Sequence, residues 1–580
     1  MSLTVSPETN AAGAPATVTQ TTTAQTTSAS TVPLLSIRDL AVQYRTSGGD
    51  VDAVHGVSFD VAAGQVTAIV GESGSGKTSV AQSVIGLLPS NGRVARGSIV
   101  FNERREGATE LTRLSERSWH GLRGRCIALI PQDPGNSLNP IATIGTSVAE
   151  SLRIHGLRDR TKVRNRVIEL LEQVGIDDAP RRAKQYPHEL SGGMRQRVLI
   201  AAAIASKPEL IIADEPTSAL DVTVQRTVLD LLDDLRREQG TGVLFITHDL
   251  AVAADRADSV VVMRSGAVQE AGPAAQVLAH PESAYTQQLI ADAPSFGRVV
   301  EREHIQVTER ADQPGATNLL TVSNLRQEFA GARGTAPFVA VNDVSFAVPR
   351  GTTHAIVGES GSGKTTTGRA IAGFARPTSG SVSVAGEEVV GLSKQALREF
   401  RRTTQMVYQN PYGSLDPRRS IGQTLAEPLR NFGIGERRET GDRVAQALEL
   451  VALPAEFAKR RPRELSGGQR QRVAIARALI VEPDLVVLDE AVSALDVTVQ
   501  AQILRLLADL QRELGLTYVF ISHDLAVVRQ ISDTVSVLQR GRQVEYGDAE
   551  QVFSNPQDPY TRQLLDAIPG QAGVVPTRHW

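Results

Sequence analysis

GESGSGKT stands at residues 71–78 and again at 358–365. Each copy follows a short apolar run, VTAIV at 66–70 and HAIV at 354–357, which is typical of a strand entering a phosphate-binding loop. In such a loop the glycines let successive backbone N–H groups face inward, and the following helix presents its positive N-terminus. A glycine-rich turn is the alternative interpretation, but two copies in matching contexts argue against it. The sequence therefore predicts two phosphate sites.

The remaining motifs are repeated in the same order. ELSGG occurs at 189–193 and 464–468, and SALDVTVQ occurs at 218–225 and 493–500. Two copies of one domain of about 250 residues account for the 580 residues of the chain. The predicted organisation is a disordered tail rich in Thr, Ala and Ser at 1–33, a first domain at 34–295, a polar linker at 296–317, a second domain at 318–570 and a tail at 571–580.

The periodicity of each copy predicts alternating strands and helices. LIIAD at 210–214 and LVVLD at 485–489 are continuous apolar runs that end in an acid, as in parallel strands buried on both faces. VRNRVIELLEQVG at 163–175 and RVAQALELVAL at 443–453 have apolar residues at helical spacing. The first copy is longer than the second before ELSGG, and we expect NERREGATE at 102–110 to be an inserted surface loop. The pattern as a whole predicts an α/β fold.

Composition excludes several classes of protein. Lys and Arg total 61 against 64 Asp and Glu, so the chain lacks the overall basic field of most nucleic-acid binders. Cys126 is the one cysteine, which excludes disulfide scaffolds and cysteine-rich metal or iron–sulfur sites and fits a reducing cytosol. No stretch approaches the run of about 18 apolar residues that a membrane span needs, and residues 1–33 lack the features of a secretory signal.

The loop residues have predicted roles of their own. Lys77 and Lys364 would reach the β- and γ-phosphates, and the hydroxyls of Thr78 and Thr365 would ligate Mg²⁺. The residues predicted to surround the phosphates are Gly71, Glu72, Ser73, Gly74, Ser75, Gly76, Lys77, Thr78 and Ser79 in the first copy and Gly358, Glu359, Ser360, Gly361, Ser362, Gly363, Lys364, Thr365 and Thr366 in the second.

A pair of acids closes the later apolar strand of each copy. Asp214 and Asp489 would meet Mg²⁺ at the carboxyl end of the sheet. Glu215 and Glu490 follow directly and could orient or deprotonate an attacking water. Helix N-terminal charge is the alternative interpretation of such a pair. Because both copies place the pair beyond a phosphate loop, we favour the catalytic interpretation.

Both halves resemble the nucleotide-binding domain of ABC transporters, over nearly all of residues 34–570. LSGG, at 190–193 and 465–468, is the most discriminating motif, since a phosphate loop alone leaves many NTPase families open. The resemblance implies an α/β fold of two tandem P-loop NTPase domains of the ABC type. Each would have a mainly parallel sheet core, an antiparallel β subdomain and a helical subdomain. It also implies that the chain hydrolyses ATP with Mg²⁺.

Further roles follow from the resemblance, position by position. Gln132 and Gln409 look like the glutamine that touches Mg²⁺ and senses the membrane partner. His248 and His523 look like the switch histidine near the γ-phosphate, although a lone histidine is more often structural. The predicted catalytic residues are Glu215, Glu490, His248 and His523. Mg²⁺ would be held, partly through water, by Thr78, Gln132 and Asp214 in one site and by Thr365, Gln409 and Asp489 in the other.

Two further pairs complete the predicted sites. Asp221 and Asp496 resemble the acid that signals between the two halves. Tyr44 and Phe329 would stack on adenine, although isolated aromatic residues more often belong to the core.

In the family, two domains close over two ATP molecules, so that each phosphate loop meets the LSGG of the other domain. Because this chain holds both domains, we expect the pairing to be intramolecular. One site would combine Lys77, Asp214 and Glu215 with Ser466, Gly467 and Gly468, and the other would combine Lys364, Asp489 and Glu490 with Ser191, Gly192 and Gly193.

The resemblance narrows to one subfamily. IPQDPGNSLNP at 130–140 and LSGGMRQRV at 190–198 are similar to the first ATPase of dipeptide, oligopeptide and nickel importers, and YQNPYGSLDPRRSIGQ at 408–423 resembles the second. PESAYTQQL at 281–289 and NPQDPYTRQLLDAIP at 555–569 match the tails of that group. Fused forms are familiar from glutathione and peptide importers.

Two departures from the subfamily affect the expected sites. Many members carry a C-terminal cysteine cluster for an iron–sulfur centre, which a chain with Cys126 alone cannot form. Ala491 replaces the proline that Pro216 supplies in the other half. Both carboxylates remain, so two active sites are expected.

These features predict an ATP-hydrolysing subunit, peripheral at the cytoplasmic face of the plasma membrane. It would energise solute import through two integral-membrane permease subunits and an extracytoplasmic solute-binding protein. A di- or oligopeptide is the favoured cargo, with nickel and glutathione as alternatives. The rival class, a soluble twin-cassette ATPase acting on ribosomes or DNA, is disfavoured by the short linker and the single cysteine, so no nucleic-acid partner is expected. An exporter ATPase fits the tail and glutamine signatures less well.

Overall fold

The computed structural model describes residues 32–46, 48–217, 220–294, 318–330, 337–409, 411–493 and 495–570. Apart from Val32 and Pro33, the predicted tails and linker lie outside these residues and stay predictions, as do the domain boundaries. The described residues from Pro33 onward form one compact unit.

The first half contains two sheets. Its strands are β1 Leu35–Thr46, β2 Gly49–Val61, β3 Val66–Val70, β4 Gly92–Glu103, β5 Gly107–Glu110, β6 Ile127–Ile130, β7 Leu210–Asp214, β8 Gly242–Ile246, β9 Ser259–Arg264 and β10 Ala267–Pro273. An antiparallel sheet has the order β2-β1-β4-β5, and a six-stranded sheet has the order β10-β9-β3-β8-β7-β6. The larger sheet is parallel except for its edge strand β10.

Helices cover the six-stranded sheet and form a separate bundle. They are α1 Lys77–Val84, α2 Glu116–Leu122, α3 Pro134–Ser137, α4 Ile144–Ile154, α5 Arg160–Gln173, α6 Ala179–Arg182, α7 Gly192–Ile204, α8 Val222–Gln239, α9 Leu250–Arg256, α10 Ala274–Ala279 and α11 Ala284–Asp292. Val148 of α4, Val163 of α5 and Val198 of α7 are buried in one cluster, because each helix turns one apolar face inward. These helices form the predicted helical subdomain.

The second half repeats the sheets. Its strands are β11 Asn318–Phe329, β12 Phe338–Pro349, β13 Thr353–Val357, β14 Ser379–Val384, β15 Glu387–Glu388, β16 Thr404–Val407, β17 Leu485–Asp489, β18 Thr517–Ile521, β19 Thr534–Gln539 and β20 Arg542–Asp548. The sheets have the orders β12-β11-β14-β15 and β16-β17-β18-β13-β19-β20.

The helices of the second half follow the same plan. They are α12 Lys364–Ile371, α13 Lys394–Thr403, α14 Pro411–Ser414, α15 Ile421–Phe432, α16 Thr440–Leu450, α17 Gly467–Leu479, α18 Val497–Leu514, α19 Leu525–Ile531, α20 Ala549–Ser554 and α21 Pro559–Asp566. The predicted α/β fold of two tandem cassettes is therefore confirmed. None of the helices in the described parts of the chain is long and apolar enough to cross a membrane.

The central strand of the larger sheet positions the site. Every residue of β3 and β7 is buried, and their sequences are apolar except for Thr67 in β3 and Asp214 at the end of β7. β3 lies between β8 and β9, and Ile246 at the end of β8 pairs with both Ile69 and Asp214. Because these strands are parallel, the phosphate loop and the acids emerge at the same edge.

Two local expectations were wrong. NERREGATE does hold extra residues, but it is not a loop throughout, because Asn102 pairs with Ala108 and Glu103 with Gly107 in an antiparallel hairpin that is longer than its counterpart at Val384 and Glu387. The extra length is partly in the strand itself, since β4 has 12 residues and its counterpart β14 has 6. The helical pattern over 443–453 also continues beyond the end of the observed helix. α16 ends at Leu450, and Ala452 has a left-handed φ of 54°.

Candidate active site

The two phosphate loops leave their strands through glycines that no other residue could replace without a clash. A Cβ on Gly71 would lie 2.1 Å from the carbonyl oxygen of Met263, and a Cβ on Gly358 would lie 2.1 Å from that of Leu538. Both glycines also have a positive φ, 147° and 143°. The strand beside each loop therefore fixes its first residue.

The loop lysines lie inside their own loops. Lys77 Nζ donates to the carbonyl oxygens of Gly71 at 2.7 Å and Glu72 at 2.8 Å, and Lys364 makes the same two contacts in the second loop at the same distances. Both side chains are buried. Burial lowers the pKa of both lysines, and the nearby carboxylates oppose that shift. Each lysine side chain thus lies within the backbone of its own loop.

A hydroxyl and a carboxylate face each other beside each loop. Thr78 Oγ1 lies 3.4 Å from Asp214 Oδ1, and Thr365 Oγ1 lies 3.0 Å from Asp489 Oδ1. Burial raises the pKa of Asp214 to about 6 and also raises that of Asp489. A bound cation would favour the charged carboxylate and reverse this shift. The donors are all oxygen atoms, which Mg²⁺ prefers, so these residues fit the predicted metal.

The first predicted catalytic carboxylate is held by two side chains. Glu215 Oε2 accepts a hydrogen bond from Gln132 Nε2 at 2.8 Å, and Oε1 lies 3.3 Å from His248 Nδ1. Burial alone would raise the pKa of Glu215, but the contacts of His248, together with the Lys77 charge and the Gln132 hydrogen bond, place this pKa below its usual value. Glu215 also has a φ of 46°, which is uncommon for a residue other than glycine.

The second half repeats this arrangement. Glu490 accepts from Gln409 Nε2 at 2.5 Å and lies 3.4 Å from His523 Nδ1, with a φ of 48°. The contacts of His523 lower the pKa of Glu490 against the effect of burial, as in the first half. Ala491 stands where the first half has Pro216, and Glu490 nevertheless makes the same contacts as Glu215. The structure thus brings together glutamine, glutamate and histidine at each predicted site.

The predicted interdomain acids lie at the starts of two long helices. The Asp221 carboxylate accepts from Val224 N and caps α8, and the Asp496 carboxylate accepts from Val499 N and caps α18, both at 3.0 Å. Asp496 also accepts from the backbone N–H of Ser73 at 3.4 Å, in the phosphate loop of the other half. The second half thus contacts the first phosphate loop directly. A signalling role for this contact stays a prediction.

The LSGG segments begin two helices. The Ser191 hydroxyl accepts from Met194 N and caps α7, and the Ser466 hydroxyl accepts from Gln469 N and caps α17, both at 3.3 Å. A Cβ on Gly468 would lie 2.3 Å from a methyl group of Val499, so this glycine allows α18 to approach. The structure does not test the contact of Gly192, Gly193 and Gly467 with nucleotide in the opposite site, which stays a prediction.

The two predicted adenine contacts differ. The Tyr44 hydroxyl lies 3.0 Å from Ser79 Oγ, and a Cβ on Gly92 would meet the Tyr44 ring at 2.7 Å. Phe329 is 48% exposed at the end of β11. Stacking on adenine stays a prediction for both.

Two residues at the loops were not predicted from the sequence. Tyr285 and Tyr560 contact the backbone of the first and second phosphate loop, respectively. The signal was present, because both tyrosines stand at the same place in the matched tails, but their partners are 213 and 201 residues away in the sequence.

Comparison with known families identifies the fold. The model of the ABC transporter family matches residues 54–218 and 341–493, more than half of the chain. The chain belongs to the ABC transporter family. It is an ABC-type ATPase with two ATP-binding cassettes. The model of the oligopeptide/dipeptide transporter C-terminal region matches residues 544–573, which confirms the resemblance to that subfamily.

Similar proteins align with nearly the whole length of this chain. The glutathione import ATP-binding protein GsiA of Pectobacterium atrosepticum is 42% identical over 557 residues, which are 92% of this chain and 89% of that protein. GsiA of Salmonella typhimurium is 42% identical over 94% of this chain and 90% of its own length. A solved structure, the dimeric post-hydrolysis state of the ATP-binding cassette MJ0796 bound to ADP and Pi, is 30% identical. It covers 40% of this chain and 98% of that one, with a TM-score of 0.37.

Proposed function

We propose that this chain is the ATP-hydrolysing subunit of an importer for di- or oligopeptides, including small peptides such as glutathione. The observation that carries the proposal is the glutamate of each half, Glu215 and Glu490, held between a glutamine and a histidine beside a phosphate loop. Because one chain holds two such sites, a pair of ATPase sites can form without a second copy of the chain.

The chemistry follows from the contacts of the carboxylate. Glu215 is ionised near neutral pH because the contacts of His248 lower its pKa, so it can orient a water molecule and accept its proton. His248, whose Nδ1 lies 3.3 Å from the carboxylate, would hold Glu215 in place. Lys77 supplies positive charge where charge develops on the phosphates. Glu490, with the equivalent neighbours, would do the same in the second site.

Magnesium fits the oxygen donors of both sites. Thr78 and Asp214 would hold the ion in the first site, and Thr365 and Asp489 would hold it in the second. A contribution of Gln132 and Gln409, whose amides donate to Glu215 and Glu490, stays a prediction. Bound Mg²⁺ neutralises charge on the β- and γ-phosphates.

The two cassettes would act on each other within the chain. The hydrogen bond from Ser73 to Asp496 supports intramolecular pairing, because it joins the first phosphate loop to the second half. ATP bound between the halves would hold them together, and hydrolysis would release them. This motion would act on permease subunits at the cytoplasmic face of the plasma membrane, with a separate solute-binding protein delivering the cargo.

The cargo class is supported by similarity. The C-terminal region of oligopeptide and dipeptide transporters matches residues 544–573, and relatives at 42% identity are named for glutathione import. Glutathione is itself a small peptide, so the two indications agree on a peptide-like solute. Nickel is the remaining alternative.

Affinity purification of the full chain from its native membranes tests this function. We expect two integral-membrane proteins to co-elute, and uptake of a labelled dipeptide or of glutathione to be lost when Glu215 and Glu490 are both replaced by Gln. The matched control is the wild-type chain restored in the same cells. Co-elution of ribosomes or DNA without any integral-membrane protein would refute the proposal, and uptake of nickel alone would refute the cargo class.

A further inference from the structure

The last helix of each cassette, α11 in the first and α21 in the second, contacts the phosphate loop of the same cassette and is called its tail helix below. The Tyr285 hydroxyl, on α11, accepts a hydrogen bond from the backbone N–H of Glu72 at 3.2 Å. The Tyr560 hydroxyl, on α21, accepts from the backbone N–H of Glu359 at 3.1 Å. Both tyrosines are buried. Two matched contacts, formed by two separate stretches of sequence, indicate a feature that the loops share.

The shared feature is the hydrogen bond, not the packing around the ring. The Arg264 guanidinium lies 4.8 Å from the ring centre of Tyr285, whereas Gln539 stands at the corresponding place, directly after the carbonyl that meets the loop glycine, in the second half. Burial raises the pKa of Tyr560 to about 12 and also raises that of Tyr285. Each phenol is therefore a neutral acceptor for the loop amide.

The first tail helix is also bound to the opposite cassette. Asp292, at the end of α11, accepts from Arg505 Nη2 on α18 at 3.0 Å, and its side chain is only 6% exposed. Two residues later, the carbonyl oxygen of Pro294 accepts from Gln530 Nε2 on α19 at 3.2 Å. The helix that holds the first loop is thus anchored on the second half.

The second tail makes the reciprocal contact. The carbonyl oxygen of Asp566, the last residue of α21, accepts from Arg226 Nη1 on α8 at 3.0 Å. The backbone N–H of Gly570 donates to Asp255 Oδ2 on α9 at 2.8 Å. Each tail therefore connects the loop of its own cassette with the surface of the other cassette.

We propose that Tyr285 and Tyr560 are positioning residues, which hold the backbone of each phosphate loop and make its position depend on the contact between the cassettes. The amides of such a loop bind phosphate only when they converge, so fixing one amide restricts the others. In the first loop, neighbouring amides have two anchors: Glu72 is held by the tail of its own half and Ser73 by Asp496 of the other half. This inference rests on the ATPase cassettes alone, not on the proposed import.

Nucleotide binding tests the positioning role. Tyr285→Phe keeps the ring and removes the acceptor oxygen, and we measure its effect with trinitrophenyl-ATP in a full chain whose second site is silenced by Lys364→Ala. We expect about fivefold weaker binding, the effect of losing one neutral hydrogen bond. Tyr560→Phe in a Lys77→Ala background is the matched experiment for the second site. Unchanged affinity in both variants would overturn the proposal.

A tyrosine of the core separates positioning from stability. The buried Tyr518 hydroxyl donates to the carbonyl oxygen of Leu507 at 3.0 Å, away from either loop. Tyr518→Phe should lower the melting temperature and leave nucleotide affinity unchanged. If it weakens binding as much as Tyr285→Phe does, the effect of the tail tyrosine is structural and the proposal is wrong.

Hydrogen exchange tests the link between cassettes. The two loops have the same sequence, so exchange is followed in peptides that also include Thr67 or His354 and therefore differ in mass. Arg505→Ala should accelerate exchange in the first loop only, by about fivefold. Arg512→Ala is the matched control, because Arg512 lies on the same helix and pairs with Asp509 of that helix. If both variants leave the first loop as in the wild type, the link between cassettes is refuted. These assays use the purified chain without permeases, so their failure would leave the import proposal untouched.

Discussion

Acidification should destabilise the second cassette through one histidine. His354 is fully buried in β13, the strand that leads into the second phosphate loop. Its Nδ1 lies 2.8 Å from Thr534 Oγ1 and its Nε2 lies 2.9 Å from Ser536 Oγ, and its ring stacks on Phe346 at 4.2 Å. Burial lowers the pKa of His354 to about 3. The first cassette has Thr67 at this position of its strand.

The magnitude follows from linkage. The unfolded chain binds a proton at His354 with a pKa of about 6.5, and the folded chain does so only near 3, so protons favour the unfolded state between these values. Stability is therefore fully present above pH 6.5 and is lost progressively as the pH falls toward 3. Between pH 7 and pH 5 this one residue should reduce the free energy of unfolding by about 2 kcal/mol.

Denaturant unfolding at pH 7 and pH 5 measures this effect when wild type and His354→Thr are compared. Other groups titrate in the same range, but they do so in both proteins and cancel in the difference. The variant should be less stable than the wild type at pH 7, because the smaller side chain leaves a cavity, and the gap should narrow by about 2 kcal/mol at pH 5. A gap that stays the same at both pH values would refute the reasoning.

Two further predictions concern the reaction itself. Replacing Glu215 and Glu490 together by Gln should lower steady ATP turnover by at least about a hundredfold while ATP binding persists, because binding does not need the general base. Phosphate release measures turnover, and equilibrium nucleotide binding measures affinity. Unaltered turnover would show that neither residue is catalytic. Ser466→Ala should impair the site built on Lys77, in the other cassette, since its hydroxyl would act there in trans; single-site turnover in which only the Lys364 site suffers would contradict the intramolecular pairing.

The parts of the site that local sequence dictates were predictable. β3 and β7 have the bounds that their largely apolar runs predict, because strands buried on both faces favour apolar residues at successive positions. The loop and the acids follow those strands directly, so their positions come with the fold. The contacts of Glu215 with Gln132 and His248 confirm only that the predicted residues meet. Their roles in catalysis stay predictions.

Local sequence was misleading where burial or pairing is nonlocal. NERREGATE is polar, as a loop would be, yet it lies at the edge of a sheet where solvent-facing strands are also polar. Val451 and Leu453 are buried with the core beyond the end of α16, so they continue the apolar pattern without continuing the helix. The matching positions of Tyr285 and Tyr560 singled out the two tyrosines, but their partners could not be predicted, because they lie 213 and 201 residues away in the sequence.

The two cassettes provide a comparison within one chain. They agree in the lysine contacts at 2.7 and 2.8 Å, which lie within identical loop sequences, and in the tyrosine contacts at 3.2 and 3.1 Å, which two different tail sequences make. They differ at Thr67 and His354, each of which is the second residue of the strand that leads into the loop. Agreement is therefore found in the contacts of the phosphate loops, whereas the predicted adenine contacts, Tyr44 and Phe329, differ. Tyr285 and Tyr560 make the same contact in both halves, whereas the contacts that anchor their helices use different residues in each half. A loop that must be held in one position can be anchored through different partners, provided that the final contact is kept.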